Sequence, residues 1–243
     1  MIGDPSRVFL DSFADIERRL RQRANVEEYV EFVRVVERLE PHDRLVREHR
    51  AALKAFAALR NAIVHDRYRS GQPIATPHPD VVRAICEIRD LLERPPRIGA
   101  VVQGRGAVEV VAPNIGVWQA LRSMTERDHS QVLVYGETGY VGLLTTNAIA
   151  RWAASQVNDA GEILAEEAPV AEVLRAAEEF EVAKFVAREV AVVDVIDLLT
   201  GAAGRPAPVA VVVTHSGDES ESPLGILVVH DLPELLALVT VAF

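Results

Sequence analysis

The stretch "VEVVAPNIGVWQALRSMTERDHSQVLVYGETGYVGLLTTNAIARW", Val108 to Trp152, alternates short β-branched runs with short amphipathic runs. Strands are predicted where Val, Leu and Tyr cluster, and a helix where apolar residues recur at every third or fourth position, as from Val117 to Met124. The segment Gly136 to Gly139 has the composition of a hairpin turn between the second and third strands. The predicted order of elements is β-α-β-β-α.

The same order of elements returns after about Ala168. A strand is predicted near Lys184 to Arg188, a helix at Val192 to Leu199, strands at Val209 to Thr214 and Pro223 to Val229, and a last helix at Leu232 to Leu238. An internal repeat of this kind indicates two copies of one structural unit. We therefore predict a domain over residues 97–243, with its first repeat at about 98–156 and its second at 168–243.

The residues before this domain have a different pattern, because their apolar positions recur at helical spacing from Pro5 to about Glu93. About four helices are expected, and the third is predicted as one long alanine-rich helix from about Asp43 to His65. Residues 1–96 are thus predicted to form a four-helix bundle. The stretch from Arg97 to Gly106 is predicted as a linker, and the fold class of the whole chain is α+β.

The charge is unevenly distributed along the chain. Lys and Arg number 18 against 16 Asp and Glu in residues 1–97, but 8 against 20 in residues 98–243. The second half would repel a polyanion and the first half would tolerate one, so RNA is conceivable only at the N-terminal domain and no DNA is expected.

Apolar runs are far shorter than the roughly 20 residues needed to cross a bilayer, so no membrane contact is expected. A single cysteine, Cys86, favours a reducing, cytoplasmic location.

The two repeats resemble a tandem pair of CBS domains. Val108 to Trp152 resembles one domain, and "VAKFVAREVAVVDVIDLL" with "PVAVVVTHSGDESESPLGILVVHDLPELL" resembles its partner. The resemblance implies clefts between the repeats that bind adenosine-containing regulators such as AMP, ADP, ATP or S-adenosylmethionine, with no cofactor required. It also implies a site pattern in which a strand begins with Gly and leads to Ser or Thr. An Asp follows three residues later, and its carboxylate holds the ribose hydroxyls.

Neither copy of that site pattern is complete. The first copy has Thr145 but Ala148 in place of the Asp, and the second has Asp231 but Val228 in place of the hydroxyl. The candidate ligand-binding residues are Asp231, Val228, Gly225, Arg188, Val186 and Thr145. The alternative is that Asp231 only caps the helix that begins at Leu232.

The segment "ALRNAIVHDRYR", Ala58 to Arg69, resembles the Arg-Asn-x-x-x-His signature of HEPN domains, with Arg60, Asn61 and His65 in the matching positions. The resemblance implies a homodimeric helical bundle that either cleaves RNA without a metal or serves as an inactive scaffold. In the catalytic interpretation His65 relays a proton, because its ordinary pKa lies near neutral. Arg60 stabilises charge on the phosphate, and Asn61 orients the histidine or donates to a phosphate oxygen.

The spacing of this signature constrains the site. Five residues along an ideal helix correspond to about 140° of rotation, so Arg60 and His65 would not share a helix face. We expect such a site at a helix end or across a two-fold axis. Alternatively, the cations only complement the last carbonyls of the helix. Arg67, Tyr68 and Arg69 are candidates for contact with RNA, with an exposed helix end as the alternative.

Two functions remain open from the sequence. In the first, the CBS-like pair senses an adenine nucleotide or a related metabolite and controls an HEPN-like dimer that acts as a metal-independent RNase. In the second, the chain is a non-catalytic regulatory or scaffolding protein with a degenerate ligand site. The incomplete patterns at Ala148 and Val228 favour the second function, and the intact Arg60, Asn61 and His65 set favours the first. Scattered histidines and one cysteine predict no metal site.

Overall fold

The computed structural model of the protein describes residues 4–26, 29–65, 74–158, 161, 167–201 and 206–243. The chain divides into two compact units. One comprises the residues up to Pro96 together with Glu234–Phe243, and the other comprises Arg97–Pro233. The last ten residues, which the sequence analysis placed in the second domain at residues 97–243, are thus grouped with the helical unit.

The helical unit contains five helices within the described residues up to Pro96. They are α1 (Pro5–Ala24), α2 (Phe32–Leu39), α3 (Arg44–Glu48), α4 (Arg50–Val64) and α5 (Pro79–Glu93). The first begins where the sequence favours it, since Asp4 accepts a hydrogen bond from the backbone N of Ser6 and Pro5 occupies the first turn. Its apolar stripe of Phe9, Phe13, Ile16 and Leu20 is buried as the helical spacing predicts.

The predicted single helix from Asp43 to His65 is wrong, because the structure breaks it at His49. That residue ends α3 and precedes α4, with φ −101° and ψ 14°. Its imidazole is buried, and Nε2 lies 2.9 Å from the carbonyl oxygen of Val239. A carbonyl can only accept, so Nε2 carries the proton and donates. The helical unit therefore has one helix more than the four predicted, among the residues that the structure describes.

The last ten residues pack on α3 and α4. Leu235 and Val239 are fully buried, and the ring of Phe243 meets the ring of Phe56 edge-on at 5.1 Å between centroids. The hydroxyl of Thr240 donates to Oε1 of Glu48 at 3.3 Å. Burial of these apolar side chains stabilises the packing of residues Glu234–Phe243 in the helical unit.

The second unit contains two sheets of identical topology. Strands β1 (Val110–Val111), β2 (Gln131–Gly136) and β3 (Gly139–Thr145) form one sheet, and β4 (Ala183–Ala187), β5 (Ala210–Thr214) and β6 (Gly225–Leu227) form the other. In each sheet the first two strands are parallel and the last two antiparallel. Helices α7 (Val117–Glu126), α8 (Thr146–Ser155) and α10 (Val192–Leu199) follow in the predicted β-α-β-β-α order. The last helix of that order, α11 (Leu232–Ala237), begins in this unit, but its residues from Glu234 onward belong to the helical unit.

A short helix leads into each repeat and packs on the other one. The predicted linker Arg97 to Gly106 contains α6 (Ile98–Val102), and α9 (Val170–Val173) precedes the second repeat. The backbone N of Ile98 donates to the carbonyl of Val190 at 2.9 Å, and the N of Val170 donates to the carbonyl of Ile115 at 2.9 Å. In both cases the backbone N–H at the start of the lead-in helix donates to a carbonyl just before the first helix of the other repeat. Each repeat therefore packs the lead-in helix of the other in the same way, and we call this arrangement the exchange of lead-in helices.

Glycines make room for this exchange. A Cβ placed on Gly225 of β6 would overlap Val102 of α6, and one placed on Gly142 of β3 would come within 2.9 Å of Leu174, which follows α9. Both glycines occupy the first position of the CBS-like site pattern, in which a strand begins with Gly. At these two positions glycine is therefore explained by helix packing as well as by the site pattern.

The buried histidine makes the helical unit sensitive to pH. Burial lowers the pKa of His49 below its ordinary value near 6.5, and the bond to Val239 only partly opposes this shift. The folded state thus favours the neutral ring, and the unfolded chain binds the proton first as pH falls. We expect His49 to destabilise the protein as pH drops below about 6.5, with the effect complete once the folded state is also protonated.

The substitution His49→Gln keeps an N–H donor and removes the titration. We expect the variant to lose less stability than wild type between pH 7.5 and 5.5, measured by urea denaturation of the full chain. The exposed His42, changed to Gln in a control variant, should leave the wild-type pH dependence in place. An unchanged pH dependence in His49→Gln would contradict this account.

Candidate functional site

Asp231 is held in place by the backbone of its own turn. It ends the short 3-10 turn Val229–Asp231 that precedes α11. Its Oδ2 accepts a hydrogen bond of 2.7 Å from the backbone N of Val228, three residues earlier. The carboxylate therefore closes a capping box on the 3-10 turn, which differs from the predicted alternative of a cap on the helix that begins at Leu232. That bond uses only one of its two oxygens.

The other oxygen of Asp231 is paired with Arg105. Nη1 of Arg105 donates to Oδ1 at 2.6 Å, and the two side chains are 27% and 18% exposed. The sequence analysis placed Arg105 in a linker and missed it. The two residues are 126 positions apart, and no periodicity or motif connects them. Only the exchange of lead-in segments between the repeats brings them together.

A cleft of about 590 Å³ opens beside this ion pair. The second repeat lines it with Gly225, Ile226, Val228, His230 and Asp231, and the first repeat lines it with residues 105–109 and 128–133. Three of the predicted ligand-binding residues, Asp231, Val228 and Gly225, thus line one cleft. A volume of this size suits a small-molecule ligand.

Two of the predicted lining residues lie elsewhere. Val186 pairs with Val213 inside its own sheet, and the backbone carbonyl of Arg188 accepts from the N of Gly99 at 2.9 Å. Neither residue lines the Asp231 cleft. The prediction took these residues, on the first strand of the second repeat, as possible lining, whereas the first-repeat lining of the cleft comes from residues 105–109 and 128–133. Val186 and Arg188 are therefore corrected as candidates for this cleft.

The equivalent position of the first repeat is occupied by a buried network. The hydroxyl of Thr145 accepts from the backbone N of Ala148 at 2.9 Å and donates to Oε1 of Glu181 at 2.6 Å. The side chain of Glu181 is 2% exposed; its Oε2 contacts Arg151 and accepts from the N of Glu178 at 2.8 Å. Thr145 therefore serves the packing of the two repeats. Its hydroxyl is already satisfied in both directions.

The cleft on this side has an acidic lining. It measures about 410 Å³, and Glu178, Glu181 and Glu219 line it together with one cation, Lys184. Tyr140 also lines it, with its ring 4.9 Å from the ring of Phe185, and burial raises the pKa of its hydroxyl to about 12. An anionic ligand would meet unfavourable charge here, in contrast to the cleft that contains Arg105.

The three residues of the N-terminal signature meet at the end of α4. Nη1 of Arg60 lies 2.9 Å from Nε2 of His65 and donates to Oδ1 of Asn61 at 3.1 Å. A guanidinium cannot accept, so Nε2 of His65 is the acceptor in this contact. His65 follows the last residue of α4, Val64, and this is the helix end that the spacing argument requires. The contact is made within one chain.

A groove with several arginines lies next to this cluster. It measures about 1110 Å³ and is lined by the second half of α1 and by Arg60. Arg18, Arg21 and Arg60 line it together with a single carboxylate, Glu17. Glu17 accepts from Arg21 at 2.7 Å. The other RNA-contact candidates, Arg67, Tyr68 and Arg69, lie outside the described residues.

Comparison with known proteins identifies the first repeat. Residues 88–155 match the CBS domain. This match confirms the CBS resemblance over the first repeat, and it spans less than a third of the 243 residues. No curated protein sequence matches the chain. The HEPN resemblance gains no support from these comparisons.

Several solved CBS structures are similar to the chain. The CBS domain of a membrane protein from Sphaerobacter thermophilus has 18% identity and a TM-score of 0.44, over 63% of this chain and 94% of that one. CBSX2 in complex with AMP has 15% identity and a TM-score of 0.41, over 58% and 96%. The CBS domain pair of protein MJ0100 with 5′-methylthioadenosine and S-adenosyl-L-methionine has 14% identity and a TM-score of 0.42, over 59% and 97%.

Among the described residues, no group of three or more His, Cys, Asp or Glu side chains could hold a metal ion. None of the helices in the same residues is long and apolar enough to span a bilayer.

The buried network of Thr145, Glu181 and Arg151 makes a stability prediction. Arg151→Ala would leave the Glu181 carboxylate buried without its cation, because that side chain is 2% exposed. We expect a loss of about 2–3 kcal/mol in the free energy of unfolding, below the full cost of a broken buried pair since Arg151 is one-third exposed. Urea denaturation measures it. The exposed Arg175, changed to Ala as a control, should cost about 0.5 kcal/mol or less, and equal losses would contradict the assignment.

Proposed function

We propose that this protein is a CBS-type regulator that binds an adenine nucleotide in the cleft beside Asp231. The observation that supports the proposal most is the position of Asp231. Its carboxylate is oriented by the Val228 amide at 2.7 Å and faces a cleft of about 590 Å³ that both repeats line. A fixed carboxylate can accept two hydrogen bonds from a vicinal diol, which is the group that a ribose offers.

The first-repeat cleft is a weaker candidate for the same ligand. Its site lacks the carboxylate because Ala148 is buried there, and its hydroxyl, Thr145, is bonded to Glu181. The proposal therefore assigns the nucleotide to the Asp231 cleft. The proposal also treats the second repeat as a CBS domain, because its strand order and its lead-in helix match those of the first repeat.

Titration calorimetry with AMP tests this proposal. We expect AMP to bind the full chain, and Asp231→Asn to weaken binding about tenfold or more, the scale of a lost hydrogen bond to a charged group. The exposed Glu172, changed to Gln, serves as the control and should leave the affinity unchanged. Absence of heat and of any thermal shift with AMP, ADP, ATP and S-adenosylmethionine at millimolar concentration would reject the nucleotide proposal.

A second candidate function is metal-independent RNA cleavage at the end of α4. One observation favours it. Arg60, Asn61 and His65 are joined by hydrogen bonds at the edge of a groove that carries Arg18 and Arg21. A neutral imidazole beside a permanent cation can accept a proton while the cation stabilises charge on a phosphate. In the combined function, ligand binding at Asp231 controls this cleavage. A homodimer is part of the HEPN interpretation.

Incubation of the purified full chain with total RNA in a chelator tests the RNase function. We expect the wild type to degrade RNA and His65→Ala to lose at least about 100-fold in rate, the scale of general acid-base catalysis. The exposed His42, changed to Ala, is the matched control and should retain the activity. If wild type and His65→Ala cleave equally, or neither cleaves with or without nucleotide, the non-catalytic regulatory function stands instead.

A further inference from the structure

Two arginines line a second cleft in the unit that contains both sheets. This cleft measures about 530 Å³, and its charged lining residues are Arg97, Arg188 and Glu189. We call it the arginine cleft. Apart from Gly106, none of its described lining residues belongs to the Asp231 cleft. Cations outnumber carboxylates in this lining, whereas residues 98–243 carry 8 Lys and Arg against 20 Asp and Glu.

Backbone contacts hold the two arginines on neighbouring segments. The N–H of Gly99 donates to the carbonyl of Arg188 at 2.9 Å, and Arg97 forms an isolated bridge with Ala191. A Cβ placed on Gly99 would come within 2.9 Å of both Cβ and the carbonyl oxygen of Arg188. Glycine at this position therefore lets the two segments approach closely, and both arginines extend from fixed backbone positions.

The equivalent place in the other repeat has the same backbone contacts but no charge. There Pro169 forms the corresponding bridge, and the N–H of Ala171 donates to the carbonyl of Pro113 at 2.9 Å. Pro169 precedes α9 as Arg97 precedes α6. Pro113 accepts the same bond as Arg188. Because proline occupies both positions, the packing of the lead-in helices does not explain the two cations.

Both guanidinium groups keep donors for a ligand. Nη1 of Arg97 donates to the backbone carbonyl of Glu189 at 2.9 Å, and no carboxylate of the described residues lies within ion-pair distance of this guanidinium. This bond orients Arg97 without neutralising it. Nε of Arg188 lies 3.3 Å from Oε1 of Glu189, but the side chains are 49% and 73% exposed. An ion pair this exposed is weak, and it leaves the terminal nitrogens of Arg188 to another acceptor.

A pair of guanidinium groups suits a phosphate monoester. One forked guanidinium satisfies both oxygens of a carboxylate, whereas a phosphate monoester has three terminal oxygens and can bond to two arginines at once. The cleft is also larger than a phosphate group, and Val102 and Leu224 in its lining offer apolar contact to an organic part. The chemistry of the lining therefore fits a small phosphorylated molecule.

We propose that the arginine cleft binds a small phosphorylated metabolite, with the phosphate held between Arg97 and Arg188. This site is separate from the proposed nucleotide site and does not depend on it. Glu189 opposes binding, because its carboxylate competes for Arg188 and repels an anion. The affinity thus depends on two cations that favour the ligand and one carboxylate that weakens its binding.

Titration of the full chain with inorganic phosphate gives the first test, with the backbone amide NMR signals of Gly99 and Arg188 as the readout. At constant ionic strength we expect saturable shifts of these signals with a Kd of about 1 mM or lower. Acetate should bind several-fold more weakly, because one carboxylate engages a single guanidinium. Equal affinity for acetate would overturn the choice of phosphate, and no saturable shift at concentrations well above that Kd would reject the site.

The second test uses Arg97→Gln and Arg188→Gln, which each remove one cation and keep an N–H donor. We expect each variant to bind phosphate about tenfold more weakly, the scale of one lost charge-assisted hydrogen bond, with the urea midpoint of unfolding unchanged. The exposed Arg122, changed to Gln, removes the same charge elsewhere in the unit and should leave the affinity unchanged. An equal loss in all three variants, or a lowered urea midpoint in the first two, would overturn the assignment.

The third test is Glu189→Gln, which should raise the affinity, a result that misfolding cannot produce. Removal of the carboxylate releases Arg188 and ends a repulsion, so we expect phosphate to bind several-fold more tightly. Unchanged or weaker binding would contradict the site. Asp231→Asn should leave the phosphate shifts in place. If it abolishes them, phosphate occupies the Asp231 cleft, so the arginine cleft is wrong while the proposed function stands.

Discussion

The exchange of lead-in helices between the two repeats is the constraint on which the second unit depends. A three-stranded sheet cannot bury both of its faces by itself, so each repeat needs cover from outside. Val170 and Val173 of α9 belong to the apolar core of the first repeat. Gly99 of α6 donates to the carbonyl of Arg188 in the second. Each repeat therefore supplies what the other lacks, and the segments that enter β1 and β4 become walls of the two clefts.

The same exchange explains why the two clefts differ. In each cleft, one repeat contributes the two positions of the site pattern, three residues apart: Thr145 and Ala148 in the first repeat, Val228 and Asp231 in the second. The segment that leads into the other repeat lies opposite these two positions. In one cleft the pair contributes a hydroxyl, Thr145, and the facing segment a carboxylate, Glu181. In the other the pair contributes the carboxylate, Asp231, and the facing segment a cation, Arg105. Glu181 is buried and forms an ion pair with Arg151, whereas the Arg105–Asp231 pair is partly exposed and lies beside a cleft of about 590 Å³.

Local pattern in the sequence was sufficient for the order of strands and helices in the two repeats, because period and turn composition act over a few residues. The candidates Asp231, Val228 and Gly225 were inferred instead from the resemblance to CBS domains. Local pattern was insufficient where distant residues decide. The break at His49 depends on Val239, and the partner of Asp231 lies 126 residues away. The five-residue helix α6 has too few turns to show a period. The failures at His49 and Asp231 come from tertiary contacts that no local window contains.

The two proposed sites are connected through α11, one hydrogen bond and α4. Asp231 is followed directly by α11, and the residues after α11 bond to His49 through Val239. His49 precedes α4, and α4 ends next to His65. A ligand at Asp231 influences the far end of α4 only if it binds more tightly to one arrangement of this segment than to another.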